Sequence, residues 1–214
     1  MTVSLVKKDI LLAKRQTLFM LVLAAIIPIF VVSRVPTLMG AAAFIYTVIF
    51  TEIIILQSIA AEEAKHPKAA ALICAAPYSR KSFVIAKYVL FLLLFVYCYI
   101  IFNLVSIISP NVGVIELRVV LAVLLCSVTI YGVYLPLHFK YGFEKTKFFF
   151  MITLFIIAFG TPMLVPYFGN IDFDFSRINA IPPVALKSAL LIASAIILYI
   201  SMAISIKIFS AKDL

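Results

Sequence analysis

Apolar positions along this chain come in long unbroken runs, unlike the short alternations of half-buried strands or the one-sided stripes of soluble helices. The runs fall at 17–33, 37–61, 84–108, 118–137, 148–168 and 186–208. Each is long enough to approach the roughly 20 residues that cross a bilayer as a helix, and each is bounded by charge, proline or a polar cluster. The pattern predicts an all-α integral membrane protein of six transmembrane helices, one domain over residues 1–214, with both termini on the same side.

The residues before the first run carry a different pattern. Val3, Val6, Ile10 and Ala13 recur at helical spacing, while Lys7, Lys8, Lys14 and Arg15 lie elsewhere on the wheel. This predicts an N-terminal amphipathic helix lying along the membrane interface; the plainer reading is a basic flank that only sets topology. The same cations followed by an apolar run resemble the start of a signal peptide, but the run ends in Val32-Ser33-Arg34-Val35-Pro36 with no small-residue cleavage site, so the first helix is expected to be retained. Pro162 and Pro166 sit late in the fifth run, where the helix is expected to break or turn back. Asp172, Asp174, Arg177 and the pair Pro182-Pro183 keep the following connection, about 168–185, out of any span.

Composition agrees with this division. The chain is 65% hydrophobic and 13% charged, against roughly 45–50% and 25% for a soluble domain, and six spans leave only short loops. The net charge of +9 would suggest nucleic acid for a soluble protein, but the cations sort by side. With the N-terminus in the cytoplasm, Lys7, Lys8, Lys14, Arg15, Lys65, Lys68, Arg80, Lys81, Lys87, Lys140, Lys145, Lys147, Lys207 and Lys212 lie inside, and only Arg34, Arg118, Arg177 and Lys187 lie outside. The positive-inside rule therefore favours N-in/C-in and an even span count, in a multi-pass bacterial cytoplasmic membrane protein with no nucleic-acid partner.

Cofactor chemistry is not written into the chain. Cys74, Cys98 and Cys126 are far apart, two of them inside apolar runs, and read as buried small hydrophobes with no disulfide or metal pattern. No Gly-x-x-x-x-Gly-Lys-Ser/Thr stretch occurs, so the chain has no phosphate-cradling loop and cannot hydrolyse ATP by itself.

The most informative stretch runs from Ala61-Glu62-Glu63-Ala64-Lys65-His66-Pro67-Lys68 through Ala76-Pro77-Tyr78-Ser79-Arg80-Lys81-Ser82-Phe83 to Lys87-Tyr88. Its Ala-rich middle, 68–76, has helix-forming composition, follows a proline suited to a helix start and is stopped by Pro77. Ser79 is placed to cap the next helix. The prediction is a short cytoplasmic helix between spans 2 and 3, held by both; any six-span protein would need some connector here.

An acidic pair, a short helix, then Pro-x-Ser-Arg-Lys and a Lys-Tyr opening the next span resemble the ABC-2 permease family. The resemblance is nearest to small permeases of bacterial amphipathic-peptide exporters, such as those for phenol-soluble modulins. It extends weakly over all six spans, including the basic start Leu5-Val6-Lys7-Lys8-Asp9, and is concentrated in residues 62–88. It implies that the segment is a coupling helix docking on a separate ATPase, with Glu62, Glu63, His66, Lys68, Pro77, Tyr78, Ser79, Arg80, Lys81 and Lys87 as the docking residues. Cys74-Ala75-Ala76 depart from the bulky residues usual before the proline. Two ATPase copies carrying ATP and magnesium, a second permease copy and an amphipathic peptide substrate follow from the same resemblance. A lipid or drug exporter is the alternative within transport.

Rival classes are weaker. Glu62-Glu63 superficially matches the Glu-Glu-x-x-x-Arg motif of membrane-embedded proteases, but position 67 is Pro, and His66 and His138 both lie at predicted cytoplasmic ends with no serine paired to them inside the membrane. An ion-coupled secondary transporter would need midplane coupling groups, and only Glu52 fits. As an ionisable residue within a span, Glu52 reads as a contact for cationic substrate, an interhelical bond or a neutral acid; Asn103 in the third span is a similar case. The 19 Phe and 10 Tyr suit either a path for amphipathic peptides or plain lipid contact.

Overall fold

A computed structural model describes residues 2–34, 40–65, 79–109, 112–113, 115–156, 160 and 183–211, and among them every regular element is helical. In chain order these are α1 (Thr2–Leu12), α2 (Lys14–Arg34), α3 (Ala41–Lys65), α4 (Arg80–Ile108), α5 (Leu117–Tyr141), α6 (Phe143–Phe155) and α7 (Pro183–Ser210). Five of them, α2, α3, α4, α5 and α7, are long and apolar enough to cross a membrane.

Six spans were expected, and five are found among the described residues. The fifth apolar run accounts for the difference. It begins as α6, whose 13 residues reach only about 20 Å at 1.5 Å per residue, short of a hydrocarbon core about 30 Å thick. Apart from Ile156 and Gly160, the remainder of that run, with Pro162 and Pro166, lies outside the described residues. So do the predicted coupling helix at 68–76 and four of its docking residues, His66, Lys68, Pro77 and Tyr78.

The helices overrun the apolar runs that predicted them. α4 begins at Arg80 instead of 84 because Ser79 caps it: the Ser79 hydroxyl accepts from the Ser82 amide at 3.1 Å, satisfying one of the orphan N–H groups of the first turn. Its 29 residues extend about 43 Å, so its charged first turns stand clear of a membrane-thick core. Ser79→Ala is expected to lower stability by about 1 kcal/mol, seen as a lower thermal midpoint in detergent, with Ser79→Asp restoring it.

α3 is the most enclosed span and α7 the most peripheral. Two apolar clusters divide the bundle lengthwise. One packs Leu5 and Val6 of α1 with Ile55, Ile59, Phe83, Phe91, Tyr131, Phe139 and Phe209. The other, at the opposite end, holds Val32, Phe44, Phe95, Phe102, Val112 and Val120. There Gly40, at φ +66, donates to the Val112 carbonyl at 3.1 Å and ties the start of α3 to the α4–α5 turn. Cys98 is buried as expected, but Cys126 is exposed on the outer side of α5.

α5 and α7 meet along small residues. A Cβ on Gly132 would lie 3.4 Å from Ile197 and 3.6 Å from Ser201, so the two backbones approach closely here. Ser201 donates to the Gly132 carbonyl at 2.8 Å, and the Tyr88 hydroxyl of α4 lies 2.6 Å from Ser201 and 2.8 Å from Ser205. Small residues with hydroxyl bonds between them are the usual means of joining helices where lipid removes the hydrophobic drive.

Candidate functional site

Four helices meet at Phe83 of α4, at the end of the bundle that carries both the amino-terminal helix and the last turn of α7. The Phe83 ring stacks on Phe209 of α7 at 5.2 Å and meets Phe139 of α5 edge-on at 6.4 Å. On its other side are two ammonium groups, Lys8 Nζ of α1 at 5.2 Å and Lys87 Nζ of α4 at 5.4 Å from the ring centroid, a favourable arrangement for a cation over an aromatic face.

Those two lysines form a closed ring of charge with two carboxylates. Lys87 Nζ lies 3.0 Å from Asp9 Oδ2 and 2.8 Å from Glu63 Oε1; Lys8 Nζ lies 2.7 Å from Asp9 Oδ1 and 3.1 Å from the same Glu63 oxygen. The ring is neutral, and each member touches both of its opposites. Asp9 and Lys87 are buried, with side chains 2% and 6% exposed, whereas Lys8 and Glu63 open partly to solvent. Alternation of sign is what makes such burial tolerable, since an isolated buried charge costs several kcal/mol.

Local sequence explains each position. Val6, Asp9 and Ala13 are spaced three and four apart and so share one face of α1; that face packs inward. The predicted apolar face is therefore rotated. Leu5, Val6, Asp9 and Ala13 are buried, while Val3 and Ile10 are exposed. Lys7, Lys14 and Arg15 are exposed as the wheel suggested, but Lys8 is drawn into the ring. Asp9 had no place among the candidate residues. Its signal was present, an acid on the apolar side of an otherwise basic helix.

The remaining docking candidates scatter around this point. Glu62 turns to Lys65 at 2.6 Å within α3. Arg80 donates to the Ser210 carbonyl at 2.8 Å, placing a cation at the C-terminal end of α7, where the helix dipole favours it. Lys81 is exposed. Glu63 and Lys87 stand on either side of the 66–78 segment in sequence, and their bond holds the end of α3 against the start of α4.

Away from this end, Glu52 is fully buried in α3, and neither carboxyl oxygen has a hydrogen-bond partner among the described residues. Cys98 of α4 and Tyr131 of α5 are within electrostatic reach of it. Asn103 donates to the Tyr99 carbonyl of its own helix at 2.7 Å.

The family model described as ABC-2 family transporter protein matches residues 4–210, a range that takes in α1, the ring and every span. The chain belongs to the ABC-2 transporter family. As an ABC-2 protein it is a multi-pass membrane transport subunit, the kind that works with an ABC ATPase and is not itself one. No curated protein and no solved structure matches it. Since the matched region begins before Asp9, α1 and its ion pairs lie within the ABC-2 domain.

Proposed function

We propose that this chain is the permease subunit of a bacterial exporter of amphipathic peptides, working as a dimer with two copies of a separate ATPase. It sits N-in/C-in in the cytoplasmic membrane, and segment 66–78 contains the coupling helix that meets the ATPase. The observation that carries this reading is the Glu63–Lys87 bond at 2.8 Å. It ties the end of α3 to the start of α4 across the base of that segment, so a push on the segment moves both helices together.

Alternating access then follows from nucleotide-driven closure of the ATPases, which repacks the helices of the two permeases between discrete arrangements. The turn joining α4 and α5 is too short to build an outer chamber. This favours substrates that enter sideways from the leaflet, and in that path Glu52 would meet cationic side chains.

The test is to express the chain with its neighbouring reading frames and identify what co-purifies in mild detergent. A stoichiometric Walker-motif ATPase is expected, with amphipathic peptides stimulating its hydrolysis. Lys81→Glu, which changes an exposed side chain without disturbing the Arg80–Ser210 bond, is expected to abolish that stimulation while leaving membrane insertion intact. Recovery of a stable complex with no ATPase would overturn the reading. An ATPase complex stimulated by lipids or drugs instead of peptides would retain the exporter and reject the substrate.

A further inference from the structure

The outward side of α1 has a composition of its own. Ser4, Lys7, Lys8, Leu11 and Leu12, spaced three and four apart on α1, line a shallow depression open to the surroundings. Leu11 and Leu12 are 54% and 38% exposed. Lys14 and Arg15 follow in the next turn, both exposed, and α2 then presents Leu18 and Phe19 outward.

Charge at this end is unevenly satisfied. Among the described residues each acid here already has a cation: Asp9 and Glu63 have Lys8 and Lys87, Glu62 has Lys65, and Glu144 has Lys147. Lys7, Lys14 and Arg15 have no acidic partner among those residues. Lys8 donates one of its three N–H groups to Glu63 and pairs with Asp9 by charge alone, leaving a donor for a further anion. The face thus presents uncompensated cations alternating with exposed leucines, beside a helix whose apolar surface faces acyl chains. A free anion matches only half of that surface. An anion with an attached hydrocarbon tail matches all of it, and clusters of cations beside a span attract anionic lipid.

We propose that this depression seats an anionic phospholipid, its phosphate held by Lys7 and the remaining Lys8 donor and its first methylenes lying over Leu11 and Leu12. The seat shares Lys8 with the ion-pair ring. Lipid bound there strengthens the docking of α1 on α3 and α4, so the charge of the inner leaflet acts on the base of the 66–78 segment.

The experiment is native mass spectrometry of the full-length chain in mild detergent, exposed to equal amounts of phosphatidylglycerol and phosphatidylcholine. Retention of phosphatidylglycerol over phosphatidylcholine is expected. Lys7→Glu should reduce that preference at least about fivefold, the weight of one cation near an anionic surface, with Lys145→Glu, an exposed cation at the same end, leaving it unchanged. Lys7→Gln keeps the comparison open if the charge reversal impairs folding. Equal retention of the two lipids by the wild type, or equal losses in the Lys7 and Lys145 variants, would overturn the proposal. So would a Lys7→Glu variant that keeps its lipid and loses its ATPase, because the cations would then meet an acidic protein surface.

Discussion

Lys87→Met is expected to destabilise the folded bundle by about 3–5 kcal/mol, the cost of leaving a buried ion pair half-broken. Lys87 contacts both acids of the ring, and its removal leaves Asp9, only 2% exposed, facing Lys8 alone. Asp9 cannot recover hydration without undocking α1. Thermal unfolding in detergent should therefore show a large drop in midpoint together with protease sensitivity of the first residues. Combining Lys87→Met with Asp9→Leu and Glu63→Met should recover most of the loss, because well-packed apolar replacements of buried ion groups are often neutral or stabilising, and Lys8 is exposed enough to reach water. A single variant with an unchanged midpoint, or a triple variant no better than the single, would show that the ring does not hold α1 in place.

Gly132→Leu is the second large effect. At 3.4 Å from Ile197 and 3.6 Å from Ser201, an added Cβ is in ordinary contact, so Gly132→Ala should change little. Leucine adds three further carbons to a seam with no room for them, and overpacking of this kind costs about 1–3 kcal/mol. It also separates Ser201 from the Gly132 carbonyl and loosens the Tyr88 bonds to Ser201 and Ser205. The midpoints of the alanine and leucine variants should thus diverge. If alanine were as harmful as leucine, the seam would lack room even for a methyl group, since alanine favours the helix over glycine.

The two sites differ in how far they could be read from sequence. Five of the six expected spans were legible because a long, mostly apolar run has one physical explanation, and the Ser79 cap because a short hydroxyl residue after Pro77 and before a helix start has a defined partner in the Ser82 amide. Helix ends were less legible: hydropathy marks where the membrane core lies, while α3 and α4 continue through charged turns to Lys65 and from Arg80.

Residues 62–88 drew attention as a linear motif, yet Glu63 and Lys87 gain their role from a residue far upstream. Asp9 was obscured by its neighbours, since four nearby cations make any acid on α1 look solvated. Only burial of the Val6 and Ala13 face turns it inward. The same rotation leaves Val3 and Ile10 exposed. Gly132 left no trace in the sequence, as nothing in a run of apolar residues says which one faces a neighbouring backbone at contact distance.

The ring also imposes an order on biogenesis. Lys8 and Glu63 are 55 residues apart, and Lys87 is later still, so α1 emerges from the ribosome well before any of its partners exist. A basic, half-apolar helix must then wait at the bilayer surface while α2, α3 and the start of α4 are inserted. Its docking closes the charge ring only once those helices stand in correct register. α1, made before its partners, is thus among the last elements to settle, and its resistance to proteolysis reports that α1 to α4 have assembled.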